Sequence, residues 1–135
     1  MTFAEDCERE VRGLHDFFAE WYAGDHRDAE RLDRVLGRDF ELVAPGGAKN
    51  DRSAVVEWVE SNHGQYADAD PPFAIDIESF DHRMTEGGHC LVTYVERQTA
   101  PQGESARLSS ALFRRAGGTP NGVEWVHLHE TWLDE

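Results

Sequence analysis

The stretch Trp125–Glu135 reads WVHLHETWLDE and carries two histidines, His127 and His129, with Glu130 directly behind them. In a strand, alternate residues share a face, so both imidazoles would project to one side about 7 Å apart. Val123, Trp125, Thr131 and Leu133 share that side, while Glu124, Val126, Leu128, Glu130 and Trp132 take the other. Two imidazoles so spaced can ligate zinc or iron if His82, His89 or an acid on a neighbouring strand supplies a third ligand. The same spacing suits hydrogen-bonded rings in a subunit interface. The interface is the expectation carried forward, with no metal and no organic cofactor assigned.

The charge narrows the partners. The 135 residues hold 27 Asp and Glu against 13 Lys and Arg, a net charge of −14, and Lys49 is the sole lysine. Such a surface repels phosphate backbones and anionic lipid, which excludes nucleic acid and membrane as partners. An ordinary acidic enzyme could carry this charge. Adaptation to a salty cytoplasm explains it better, because high ionic strength screens carboxylate repulsion. Stability should then rise from low to molar KCl, and a thermal melt that falls over that range would refute the adaptation.

Cys7 and Cys90 form no C-x-x-C pair and read as small core residues without a disulfide. No apolar run approaches a membrane span, and the start MTFAEDCERE is acidic, unlike a signal peptide. A cytoplasmic protein is expected.

The elements that must position any site follow from periodicity. Phe3, Cys7, Val11, Leu14, Phe17, Phe18, Trp21 and Tyr22 form one stripe on a long helix, capped by Thr2 and stopped by Gly24. His15 is expected at the polar edge of that stripe. A short helix over 28–37, ended by Gly37, leads into a strand, DFELVAPGG. A third helix over 50–64 buries Ala54, Val55, Trp58 and Val59. From residue 73 the period becomes two. Strands are expected over 73–82, 89–100, 106–115 and 123–133, joined by glycine-rich turns. The fold class is α+β: a strongly curved, mostly antiparallel sheet wrapped as a cone around the long N-terminal helix, with two further helices. Residues 1–135 read as one domain with a conical cavity inside the sheet.

With its order of motifs, the chain resembles the nuclear-transport-factor-2-like superfamily over nearly its whole length. YAGDHRDAERLDRVLGRDFELVAPGG resembles that family's segment from the end of the first helix to the first strand, and VHLHET its terminal H-x-H strand. The superfamily includes ketosteroid isomerase, SnoaL-like polyketide cyclases, scytalone dehydratase and the association domain of calcium/calmodulin-dependent kinase II. The resemblance implies that ketosteroid isomerase chemistry is lost. Ala44, before Pro45, stands where the isomerase has its base, and is expected to face the cavity. Phe17 stands where it has its main oxyanion donor. The second donor falls near Ser110 or Ala111. Proton abstraction beside a carbonyl needs a base and a donor, and Ala44 and Phe17 can be neither.

The kinase association domain has pocket arginines at the place of Glu130 and near Val95 or Glu96, so the resemblance turns Glu130 inward and the histidines outward. Two pocket cations would then have become carboxylates, and crowding would push at least one pKa upward. Glu130, Glu96 and His63 are the catalytic candidates. Tyr22, Trp58, Tyr94, Ser110 and Trp132 are the ligand-binding candidates. Two functions follow from the resemblance. One is a cofactor-independent lyase or isomerase acting on a small, partly apolar molecule. The other is a non-catalytic ligand-binding or homo-oligomerisation module, with a homodimer formed through the outer sheet face around His127, His129, Val123, Trp125 and Leu133.

Overall fold

The structure is a computed structural model that describes residues 2–133. The first helix, α1, spans Phe3–Tyr22. It begins where the sequence predicts because Thr2 and Glu5 cap it reciprocally. The Glu5 amide donates to Thr2 Oγ1 at 3.1 Å, and the Thr2 amide to Glu5 Oε1 at 2.9 Å. Gly24 ends it at φ +104°, a conformation glycine takes without strain. Cys7, Val11, Leu14, Phe17, Trp21 and Tyr22 are buried in the core as the stripe requires. Cys7 and Cys90 are buried free thiols.

The second helix, α2, is only Glu30–Asp33, shorter than its sequence pattern. Val35 and Leu36 leave it because a distant strand recruits their backbone: the Trp125 amide donates to the Val35 carbonyl at 2.8 Å. Strand β1, Leu36–Val43, therefore starts three residues early. Gly37 was expected to stop the helix, and instead lies inside β1. A Cβ there would come within 2.9 Å of the Trp125 carbonyl, so glycine permits the close approach of the two backbones. A short β2, Lys49–Asp51, and helix α3, Arg52–Ser61, follow, with Asp51 Oδ1 accepting from the Ala54 amide as cap.

Strands β3 (Ala74–Glu86), β4 (His89–Ala100), β5 (Gly103–Arg115) and β6 (Val123–Trp132) complete a six-stranded open sheet of order β2-β1-β6-β5-β4-β3. Every pairing is antiparallel except β1 with β6, which is parallel. Register shifts in β3, and Ser79 at φ +54° beside one of them, bend the sheet around α1.

One further shift corrects the reading of the last strand. Leu112 pairs with His127 but Phe113 with Trp125, so β6 carries one extra residue at Val126. That bulge reverses the alternation. Val123 and Trp125 point into the core at 0% and 1% exposure, and cannot share the outer face with the histidines. Beyond the bulge, Leu128 and Glu130 turn inward, and His127 and His129 outward.

Beneath this bend lies Glu10 of α1, fully buried and held by four donors. Arg31 gives two hydrogen bonds, at 2.8 and 3.1 Å, Asn121 one at 3.0 Å and Trp125 Nε1 one at 2.9 Å. The carboxylate thereby ties α1 to α2, to the β5–β6 connection and to β6.

Candidate functional site

Alternation along three neighbouring strands builds the polar wall of a cavity. On β4, Tyr94 and Glu96 face inward, on β5 Ser109 and Arg107, and on β6 Glu130. Register sets them in two rows. Tyr94, Ser109 and Glu130 lie side by side across the strands, as do Glu96, Arg107 and Trp132. Helix α1 crosses this wall and lays His15 upon it, with its ring centroid 5.7 Å from that of Tyr94. The cavity holds about 290 Å³. Its remaining walls are apolar and largely aromatic: Leu14, Phe18 and Tyr22 from α1, Phe40 and Leu42 from β1, Val55 and Trp58 from α3, and Tyr66 and Phe73 before β3.

The buried charges are paired. His15 Nδ1 lies 2.7 Å from the Val11 carbonyl and Nε2 lies 3.0 Å from Glu96 Oε1. Both neighbours are acceptors, so both ring nitrogens donate and the ring is an imidazolium. Burial disfavours that charge, yet Glu96 and the Val11 carbonyl outweigh it and hold the His15 pKa above its ordinary value. Glu96 also accepts from Gln98 Nε2 at 2.6 Å. Burial acts upward on its carboxyl, but the imidazolium and Arg107 bring it down to about 2.

Glu130 behaves oppositely. Burial, and next the charge of Glu96, push its pKa up, and Arg107 only partly offsets them. The Arg107–Glu130 contact is 3.3 Å, longer than the 2.7–2.9 Å usual for such a pair. Thus two carboxyls on strands flanking β5 are driven apart, Glu96 downward and Glu130 upward from the ordinary carboxylate range.

The sequence candidates separate into those on the cavity and those off it. Glu130, Glu96, Tyr22 and Trp58 line it, Trp58 at the rim and half exposed. Tyr94 is wholly buried behind the wall, its pKa raised by burial and then by Glu96 and Glu130. Trp132 is exposed beyond the wall with the Arg107 guanidinium 4.7 Å over its ring. Ser110 pairs with His129 on the outer face, because Ser109 holds the inward parity. His63 is exposed on the turn after α3, 2.9 Å from the Asp25 carbonyl and packed on Trp21, outside the cavity. Ala44 keeps the parity of Phe40 and Leu42 but lies past the end of β1 in a tight turn, bonded to Ala48, and does not line the cavity. Among the described residues, no three His, Cys, Asp or Glu side chains are grouped to hold a metal ion.

His15, Gln98 and Arg107 were not among the sequence candidates. A signal for His15 existed: it sits four residues after Val11 and three before Phe18, inside the stripe. Arg107 likewise shares the parity of Phe113, which strand alternation would have turned inward.

No family model matches the chain. It is 23% identical over 131 residues to a protein described as probable sucrose-phosphatase 3a of Arabidopsis thaliana, covering 93% of this chain and 30% of that protein's length. Among solved structures, an NTF-2-like protein of unknown function from Pseudomonas aeruginosa superposes with a TM-score of 0.82. The two chains are 28% identical, with 96% of this chain and 99% of the other covered. The CaMKII hub of S. rosetta superposes at 0.77 with 15% identity, over 98% of both chains, a likeness of fold. The chain belongs to the nuclear-transport-factor-2-like superfamily, as its cone, its long first helix and these superpositions together require. Among the described residues no helix is long and apolar enough to cross a membrane.

Proposed function

We propose that residues 1–135 act as one domain that binds a small, partly apolar molecule in the cone. The domain moves a proton on that molecule without a cofactor, as a lyase or isomerase. The observation that carries this is Glu130: a cavity carboxyl with its pKa raised, beside a guanidinium. A general acid or base works best with a pKa near the operating pH, and Arg107 can stabilise charge that develops on a substrate oxygen. Glu96, held at about 2, is too weak a base at neutral pH and acts as a positioning residue for the charge around Glu130. Exchange of α-protons into D₂O, followed by NMR over a panel of small enolisable ketones and oxo-acids, tests the reading. Glu130→Gln should slow exchange about 10²- to 10⁴-fold with a melting temperature no lower than that of the wild type. Equal exchange rates in wild type and variant for every compound would remove Glu130 from catalysis.

The second reading, a binding or homo-oligomerisation module, has its own support. On the outer face Leu91 pairs with Leu112 and Val95 with Leu108, beside Met84, and Met84 and Leu108 are large exposed apolar groups. Such a patch favours association, and a twofold contact of two sheets would cover it. His127 pairs with Leu112 and His129 with Ser110 at its margin. A homodimer through this face, in the cytoplasm, completes the proposal.

Sedimentation over a range of chain concentrations should show a dimer. A monomer throughout would overturn the dimer.

A further inference from the structure

Part of the cavity lining is a cluster of aromatic rings whose planes cross. Tyr22 of α1 stands at its centre. Trp58 of α3 lies 6.0 Å from Tyr22 at 72°, Tyr66 lies 6.5 Å away at 80°, and Phe73 lies 5.9 Å away at 85°. Tyr66 and Phe73 stack on each other at 4.5 Å. All four rings line the cavity. Core packing accounts for Tyr22, which is 7% exposed, but not for Trp58, which remains 56% exposed. An aromatic face carries partial negative charge, and rings meeting near right angles offer such faces from more than one direction. A cation among them is attracted to each face, and most strongly to an indole.

Charge agrees with the rings. Burial raises the pKa of the Tyr22 hydroxyl first and the charge of Glu96 next, while the opposing effect of Arg107 comes last. A carboxylate therefore outweighs the guanidinium at the centre of the cluster. The Arg107 guanidinium is engaged elsewhere, 3.3 Å from Glu130 and 4.7 Å over the Trp132 ring. With Glu130 ionised, the charged groups on the cavity, His15, Glu96, Arg107 and Glu130, sum to zero, so no net positive charge repels a cation. Outside the cavity the net charge of −14 raises the local concentration of cations. The chemistry of the rings narrows the cation further. A primary ammonium brings three N–H donors that need oxygen acceptors, whereas a quaternary ammonium has no N–H and presents apolar methyl groups to the ring faces. A volume of about 290 Å³ lies at the small end for ligand sites and suits such a head with a short tail.

We propose that the Tyr22–Trp58–Tyr66–Phe73 cluster is a binding site for an organic cation, and that the small molecule taken into the cone is a quaternary ammonium compound with a short tail. The cationic head sits among the rings and the tail extends towards the polar wall. The inference rests on the cavity reading above and names the class of molecule it admits.

Isothermal titration of the full chain at physiological salt tests it with two probes of one shape. Choline carries the charged nitrogen, and 3,3-dimethylbutan-1-ol has a neutral carbon in its place. Choline should bind at least about tenfold more tightly than the alcohol. Its trimethylammonium proton resonance should move upfield on binding, because ring faces shield protons lying over them. Trp58→Leu, at an exposed position that leaves the core intact, should weaken choline about tenfold and change the alcohol little. Trp58→Phe, which keeps a ring face, should retain part of the preference. Tyr66→Leu should reduce the preference several-fold and serves as the second variant. The alcohol binding as tightly as choline would overturn the cation site and leave the cavity reading intact. So would a preference for choline that survives both leucine variants. Failure of both probes to bind would also overturn the cation site, and the deuterium exchange described above then decides the cavity reading separately.

Discussion

Replacing Glu10 by alanine should destabilise the protein by about 3–5 kcal/mol, the range for removing one partner from a buried ion pair. The carboxylate is fully buried and satisfies Arg31, Asn121 and the Trp125 indole at once. Removing it strands a largely buried guanidinium and two further donors in the core. It also leaves space at the junction where α1, α2 and β6 meet. For a chain of this length each kcal/mol moves the melting temperature by a few degrees, so a drop on the order of 10–20 °C is expected. Calorimetric melts of wild type, Glu10→Ala and Glu10→Gln measure it. Glu10→Gln should lie between, since an amide keeps one acceptor oxygen and loses the charge. A loss below about 1 kcal/mol for alanine would show that water or rearrangement compensates the stranded donors.

The His15–Glu96 pair should show the second large effect, and its signature is non-additivity. His15→Phe alone leaves a buried carboxylate, and Glu96→Leu alone leaves a buried imidazolium. Each should cost about 3–5 kcal/mol at pH 6. The double variant removes both charges and should recover most of that loss, because apolar groups of similar volume often replace buried pairs at little cost. Single costs that simply add in the double variant would show that the two groups do not interact.

The pair also fixes a pH window. The folded His15 pKa lies above 6.5, so its contribution is complete below 6.5 and is lost as pH rises through the folded value. The folded Glu96 pKa is about 2 against 4.5 ordinarily, so its contribution is complete above 4.5 and is lost as pH falls towards 2. The stabilising effect of the pair should therefore be greatest between about pH 4.5 and 6.5. Glu130, with its pKa raised, subtracts stability as pH rises beyond 4.5. Wild type should accordingly be more stable relative to the double variant at pH 5.5 than at pH 9 or 3.

Several features of the site were legible in the sequence. Alternation along HCLVTYVERQTA puts Cys90, Val92, Tyr94 and Glu96 on one face, and these four are buried. Glu130 also turned inward as the resemblance implied, and Tyr22 and Trp58 reached the cavity. Ser110 did not, because a one-residue choice between Ser109 and Ser110 decides the face. His15 was assigned to the polar edge of its helix because histidine is polar, although its spacing put it in the stripe. What reverses that assignment is a carboxylate 81 residues away, which makes burial of the imidazolium tolerable.

By itself the sequence determined what local chemistry can determine. It set the long helix through a 3.6-residue stripe and a capping box, the meander through period-two alternation and glycine turns, and the acidity of the surface. Those features depend on neighbours within a few residues, so the pattern carries them. The tertiary structure alone decided the parallel union of β1 with β6, the early start of β1 and the bulge at Val126 that sends Trp125 inward. It also decided which buried charges meet. Each of these depends on a partner many residues distant, whose approach is set by closure of the sheet around α1. A charge or a strand edge has no preferred side until that partner arrives, because burial is unfavourable without it and favourable with it.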